Sequence, residues 1–414
     1  MVLKRVGQFL SVSIIGLAIV AGVYSTELKQ LYMVVNLFKP DVIVHNFSNM
    51  QDVMTTKVIK RSGNVRALNH TPQELPKTFT FKGQEFNLDS FLNDTQSTAL
   101  LVVKDDDITF ENYYLGTRDT DLRASWSMAK SYLSAIFGIA VYEGHIKDLN
   151  VPVTDYVPAL IGSGYDGVTI KNVLQMSSGV AFNEDYTDFN SDINRFGRMM
   201  AMGGSFDEFA ASLTHEREQG TYMKYVSIDT HVLGMVLRAA TGQTIEEYLT
   251  TKLWSKLGNE QNALYLVDGL GEPMVLGGLN ATTRDYGRLG MLFRDNGIIN
   301  GEQVVPAQWI KDSITPDASH LMPGKRDNAK SVFGYGYQWW IPEQSDQEFF
   351  ALGIYGQFIY INQKAGVVIV KNSANTRFTD NDYESIHKSL AAFRGIALGL
   401  IEQPSTEMAS GSVQ

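Results

Sequence analysis

The sequence predicts an α+β fold: an antiparallel sheet built from both ends of the chain, with a mainly helical part inserted between them. Three observations carry this. Ala99–Val103 and Ile108–Tyr114 are β-rich runs joined by the acidic turn Asp105-Asp106-Asp107, the pattern of a hairpin. Gly334–Trp340, Phe349–Ile354, Gln357–Asn362 and Val367–Lys371 are four more short β-rich runs close together near the other end. Between the two groups, roughly 150–330, helical periodicity and loops dominate. Strands that flank a helical middle imply one discontinuous domain.

In chain order, Lys4 and Arg5 precede an almost uncharged run, Phe9–Tyr24. A basic flank before an apolar run is an export pattern, and no clean small-residue cleavage site follows it. Residues 1–25 are therefore read as a signal peptide or membrane anchor. The expectation is an exported protein on the periplasmic side of the envelope, held in the inner membrane by residues 9–24. Residues 26–65 read as a connector. Residues 66–150 together with 331–402 form the predicted α/β subdomain, and 151–330 the mainly helical one. Within the latter, Thr169–Met176, Thr283–Asn296 and Pro306–Ile314 read as helices. An amphipathic helix, Asp380–Ile401, would cover one face of the sheet, and the tail 403–414 reads as disordered.

Composition narrows the function. The 414 residues are 44% hydrophobic, enough for a large core, and the formal charge of −10 argues against a nucleic-acid partner. No cysteine is present, which removes disulfides, thiol nucleophiles and thiolate metal sites. The triple aspartate lacks the glycine and distal glutamate of a calcium loop and reads as a solvated turn. Gly162-x-Gly164-x-x-Gly167 follows no strand, so it does not read as a dinucleotide site. The seven histidines show no metal-ligand spacing. Neither metal nor cofactor is expected.

The chemistry-bearing stretch is Ser127-x-x-Lys130 at the opening of an apolar run that continues to Gly144. One helical turn separates the two residues, so a lysine amine can lie beside a serine hydroxyl. A partly desolvated lysine can take the serine's proton, and a backbone N–H at a helix start can face developing negative charge. The pattern is weak by itself: Ser385 and Lys388 repeat it within a stretch that reads as a surface of the C-terminal helix. A second stretch, Tyr225-x-Ser227, precedes an apolar helix that ends at Gly242. Tyr225 there can relay a proton, or simply pack while Ser227 caps the helix. The loop Phe182–Asn194 carries Glu184, Asp185, Asp188 and Asp192 and either borders the cleft or is a solvated loop.

Ser127-x-x-Lys130, Tyr225-x-Ser227 and Gly353-Ile-Tyr-Gly356-Gln, in that order, resemble the class C β-lactamase-like serine hydrolases, which share the penicillin-binding-protein fold. Leu174–Gly179, Gly278–Asp285 and Tyr335–Trp340 add to the likeness, which runs from about 60 to 400 and looks most like the 6-aminohexanoate-dimer hydrolases and related esterases. The resemblance implies a β-lactamase/transpeptidase-like fold and an acyl-enzyme on Ser127, with Lys130 as general base and Tyr225 as proton relay. It further implies an oxyanion hole from the backbone N–H groups of Ser127 and Ile354, with Ser227, Gly353, Tyr355 and Trp126 against the substrate. Two departures matter. The family's Lys-Thr-Gly triplet reads Ala351-Leu352-Gly353 here, and Ser227 stands where β-lactamases generally carry asparagine. Loss of a cation that would face a substrate carboxylate favours a small ester or amide substrate. A D,D-peptidase or β-lactamase, and a non-catalytic membrane-anchored binding protein on this fold, stand as alternatives.

Overall fold

A computed structural model describes residues 25–402. The apolar run Phe9–Tyr24 and the tail 403–414 lie outside the described residues. Among the described residues no helix is long and apolar enough to cross a membrane.

Five strands form the middle of the main sheet: β1 (Ser97–Lys104), β2 (Asp107–Tyr113), β3 (Glu348–Gly353), β4 (Gln357–Asn362) and β5 (Val367–Ser373). The full order is Gly334–Tyr335, Trp340–Ile341, β3, β4, β5, β1, β2, Asn69–His70. Neighbours are antiparallel except the last pair, Asn69–His70 on β2. The N-terminal hairpin thus joins the C-terminal meander through β5 and β1, where Val367 lies opposite Lys104 and Val370 opposite Leu101. This is the α+β, β-lactamase/transpeptidase-like sheet expected from the sequence.

The strands are apolar on both faces, and alternate residues enter different cores. Leu101, Val103, Ile359, Ile361, Val368 and Val370 pack with the helical part of the molecule. Leu100, Val102, Phe358, Tyr360, Val367 and Ile369 pack with Phe393 and Ile396 of the C-terminal helix. A strand buried on both sides reads as a continuous apolar run, and the period of two assigns each side chain to a face.

Helix α1 (Ala129–Tyr142) is buried along its length to Ala140, as an apolar-all-round helix must be. Helix α2 (Ser227–Thr241) ends at Gly242, whose φ of 67° gives the left-handed cap. Helix α3 (Thr283–Arg294) starts at Thr282, whose side chain accepts from Asp285 N–H, and lies across β1, β4 and β5. Helix α4 (Asp380–Glu402) covers the other face after a left-handed turn at Asn381–Tyr383.

The segment 26–65, read from the sequence as a connector, is built into the body. It carries helices Ser25–Asn36, Ile43–Ser48 and Met50–Val53, and Ile43 and Phe47 are buried in the core. Its strand Thr56–Ile59 opens a second sheet, ordered Thr56–Ile59, Ala263–Leu266, Leu279–Ala281, Arg123–Ala124. That sheet delivers the chain to Ser125 and Ser127.

Candidate active site

Ser127 sits in the single 3₁₀ turn Trp126–Met128, which runs into α1. The turn is fixed from both sides. Ser125 N–H donates to the Leu279 carbonyl at 2.9 Å. The end of β3 presses from the other side: a Cβ on Gly353 would come within 2.4 Å of the Ser125 carbonyl oxygen. Only glycine allows that approach. Trp126 holds a left-handed φ of 44°, a strained conformation for a bulky residue. Packing holds it there, with ring centroids of Phe47 and Phe38 5.4 and 5.5 Å away and Tyr355 at 6.2 Å.

Lys130, on the first turn of α1, is buried, and its Nζ lies 3.0 Å from Ser127 Oγ, 3.3 Å from Ser227 Oγ and 2.5 Å from the Leu276 carbonyl oxygen. The carbonyl can only accept, so one N–H is committed to it. Burial pushes the amine down to about 7, while Glu184 and Asp229 pull it back up. A lysine at that value is poised to exchange a proton near neutral pH.

Tyr225 leads into α2, stacked on Trp340 at 5.3 Å and edge-on to Tyr335. Ser127 and Ser227 lie near its hydroxyl, and Lys130 Nζ is 5.1 Å from its ring centre. Burial, reinforced by Glu184, raises the Tyr225 hydroxyl well above its ordinary value. Ser227 is the first residue of α2, but its hydroxyl does not cap that helix. It donates to Glu184 Oε1 at 2.5 Å instead. The helices that carry these groups are tied together by Gln338, in the segment between the two edge strands. Its carbonyl accepts from Ser131 Oγ on α1, its side-chain oxygen accepts from Thr230 Oγ1 on α2, and its Nε2 donates to the Leu174 carbonyl.

The structure therefore brings Ser127, Lys130, Tyr225 and Ser227 together and sets Gly353 against the same turn. Ile354 follows Gly353 directly, and Tyr355 stacks on Phe38 at 4.8 Å as well as neighbouring Trp126. Glu184 is the residue whose place the sequence did not settle: of the four acidic residues in its loop it alone reaches Ser227. Asp185, Asp188 and Asp192 hold the loop's own turns, through Thr187, Asn190 and Asn183 N–H respectively. Phe38 and Phe47 were missed with the segment that carries them. Asp106, in the triple aspartate, accepts from Arg66 and Arg294, and no cluster of metal-ligating residues occurs among the described residues.

Comparison with known proteins gives the family and the fold. A family profile described as Beta-lactamase matches residues 88–391. The chain is 31% identical over 296 residues to a 6-aminohexanoate-dimer hydrolase of Paenarthrobacter ureafaciens, covering 70% of this chain and 75% of that protein. A Bacillus anthracis structure described as a 6-aminohexanoate-dimer hydrolase superposes with a TM-score of 0.80 at 24% identity, over 89% of this chain and 97% of that one. A D-stereospecific amidohydrolase from Streptomyces sp. shares the fold at 13% identity, with a TM-score of 0.58 over 75% of this chain and 97% of its own. With a family match over most of its length and a serine–lysine pair at the head of a buried helix, this chain belongs to the β-lactamase family and is a serine hydrolase.

Proposed function

We propose that the protein hydrolyses small esters or amides through an acyl-enzyme on Ser127, with Lys130 as the base. The observation that carries this reading is the Lys130–Ser127 contact of 3.0 Å inside a buried, hydrogen-bonded pocket. Two of the three positions around the Lys130 nitrogen face Leu276 O and Ser227 Oγ, and the third faces Ser127. In the neutral amine that third position is the lone pair, aimed at the hydrogen of Ser127.

Acylation then runs as follows. Lys130 takes the Ser127 proton while Oγ bonds to the substrate carbonyl carbon, and the carbonyl oxygen becomes an oxyanion. The backbone N–H groups of Ser127 and Ile354 stabilise it, on the strength of the contact between the end of β3 and the Ser127 turn. Tyr225, kept protonated by its burial, passes its hydrogen to the leaving alkoxide or amine as that bond breaks, and is reprotonated from Lys130. In the second half Lys130 takes a proton from water as the water oxygen bonds to the acyl carbon, and returns it to Ser127 Oγ as the Oγ–acyl bond breaks and the carboxylic acid leaves. Trp126, Tyr355 and Phe38 form an apolar wall beside the turn, which suits an uncharged acyl group.

The substrate class rests on two further points. The relative 31% identical to this chain is named for the hydrolysis of a 6-aminohexanoate dimer. The segment corresponding to the family's Lys-Thr-Gly is Ala351-Leu352-Gly353, with no cation to hold a β-lactam carboxylate. Hydrolysis of p-nitrophenyl butyrate by wild type and Ser127→Ala tests the reading. Loss of at least roughly a thousandfold in kcat is expected in the variant. Equal rates in both would rule out Ser127 as the nucleophile.

A further inference from the structure

Glu184 stands on an otherwise exposed loop, yet its carboxylate collects three hydrogens at the heart of the site. Ser227 donates its hydroxyl at 2.5 Å and its backbone N–H at 3.0 Å, and Tyr186 donates its hydroxyl at 2.6 Å. A carboxylate only accepts, so the Ser227 hydrogen is committed to Glu184 and the Ser227 lone pairs are left to Lys130. Lys130 must then donate to Ser227 as well as to Leu276. One position on the nitrogen stays open, and it points at Ser127.

We infer that Glu184 is a positioning residue for the catalytic lysine: by fixing the direction of the Ser227 hydroxyl it turns the open face of the Lys130 amine toward Ser127. The inference rests on the reading in which Lys130 takes the Ser127 proton. Asp229, on α2, is the other acidic group near Lys130, but it is turned to Tyr165 and Ser178, at 2.7 and 2.9 Å, and burial raises it to about 8. Glu184 is thus the carboxylate that engages Ser227, the hydroxyl beside the lysine. The remaining titratable groups around the pair are the tyrosines Tyr165, Tyr186, Tyr225, Tyr335 and Tyr383, with Lys224 on the approach to α2.

The test is the pH profile of p-nitrophenyl butyrate hydrolysis by the full chain, for wild type, Glu184→Gln, Glu184→Asp and Ser227→Ala, with Ser127→Ala alongside. An amide at 184 can donate to Ser227, which frees the Ser227 hydrogen to occupy the Lys130 lone pair in competition with Ser127. Glu184→Gln should lower kcat roughly ten- to a hundredfold with KM within about twofold, and move the acid limb of kcat/KM to lower pH. Glu184→Asp keeps the charge and should keep the limb. In a Ser227→Ala background the Glu184→Gln loss in kcat should shrink to about twofold, because the group it acts through is gone. A Ser127-dependent wild type whose Glu184→Gln variant keeps both kcat and limb overturns the inference alone. So does an undiminished loss in the Ser227→Ala background. A wild type whose rate survives Ser127→Ala overturns the nucleophile assignment, and this inference with it.

Discussion

Lys130 is where burial becomes chemistry. Its ammonium form is disfavoured because α1 carries it into the core, and the acceptors around it offset only part of that cost. With the amine at about 7, acid keeps it protonated and unable to take a proton, and base leaves the lone pair free. The kcat/KM for a neutral ester should therefore rise about tenfold per pH unit below 7 and level off above it. A profile flat from pH 5 to 9 would exclude Lys130 as the base. Glu184 shows what a sequence leaves open at this scale. Its residue type and its loop were visible, but its partner lies 43 positions away at Ser227, and only the fold makes that pair. Ser127 and Lys130 were legible because their contact is local, one helical turn long.

At the scale of elements, spacing alone did not select the site; context did. Ser385 and Lys388 have the same separation as Ser127 and Lys130, yet Lys388 pairs with Glu384 at 3.0 Å, and Ser385 accepts from Asn375. That helix lies on the outer face of the sheet, and its lysine is turned to a carboxylate rather than to the serine one turn away. The Ser127 turn differs because strand β3 is driven against it. Gly353→Ala would place a methyl group 2.4 Å from the Ser125 carbonyl oxygen, and backbone cannot swing aside as a flexible side chain can. Activity should fall at least tenfold and stability by about 1–3 kcal/mol, as for overpacked sites. Urea unfolding beside ester kinetics measures both, and a variant normal in both would show that β3 and the turn are not coupled. The long strands and α1, α2 and α3 were readable from periodicity and caps. The short edge strands Gly334–Tyr335 and Trp340–Ile341 were read as one run, because Gln338 breaks it with a left-handed φ of 64° that no glycine announces.

Over the whole molecule, the site is assembled from parts far apart in the chain. Ser127 and Lys130 follow the small sheet, Glu184 comes from the helical part, and Gly353 ends a strand of the main sheet. The N-terminal segment closes the arrangement: Phe47 packs on Trp126 and Tyr355, and Ser48 accepts from the buried Arg123 guanidinium, whose other nitrogen donates to Thr98 at 2.8 Å. Its apolar residues Ile43, Phe47, Met50 and Met54 do recur at helical intervals. The short, polar-interrupted helices obscured that signal, since Ile43–Ser48 and Met50–Val53 bury only two apolar side chains each. Because Phe47 is 1% exposed, Phe47→Ala should cost about 3–5 kcal/mol by opening a cavity. It should also reduce kcat by loosening Trp126. Thermal unfolding together with ester kinetics checks this, and a stable, fully active variant would mean the segment is only draped over the site.

The central claim is a covalent acyl group on Ser127, and mass spectrometry of enzyme quenched during turnover of p-nitrophenyl butyrate addresses it most directly. One butyryl group per chain is expected, on the peptide that contains Ser127, and none in Ser127→Ala. An adduct on any other residue, or rapid turnover by Ser127→Ala, would contradict it.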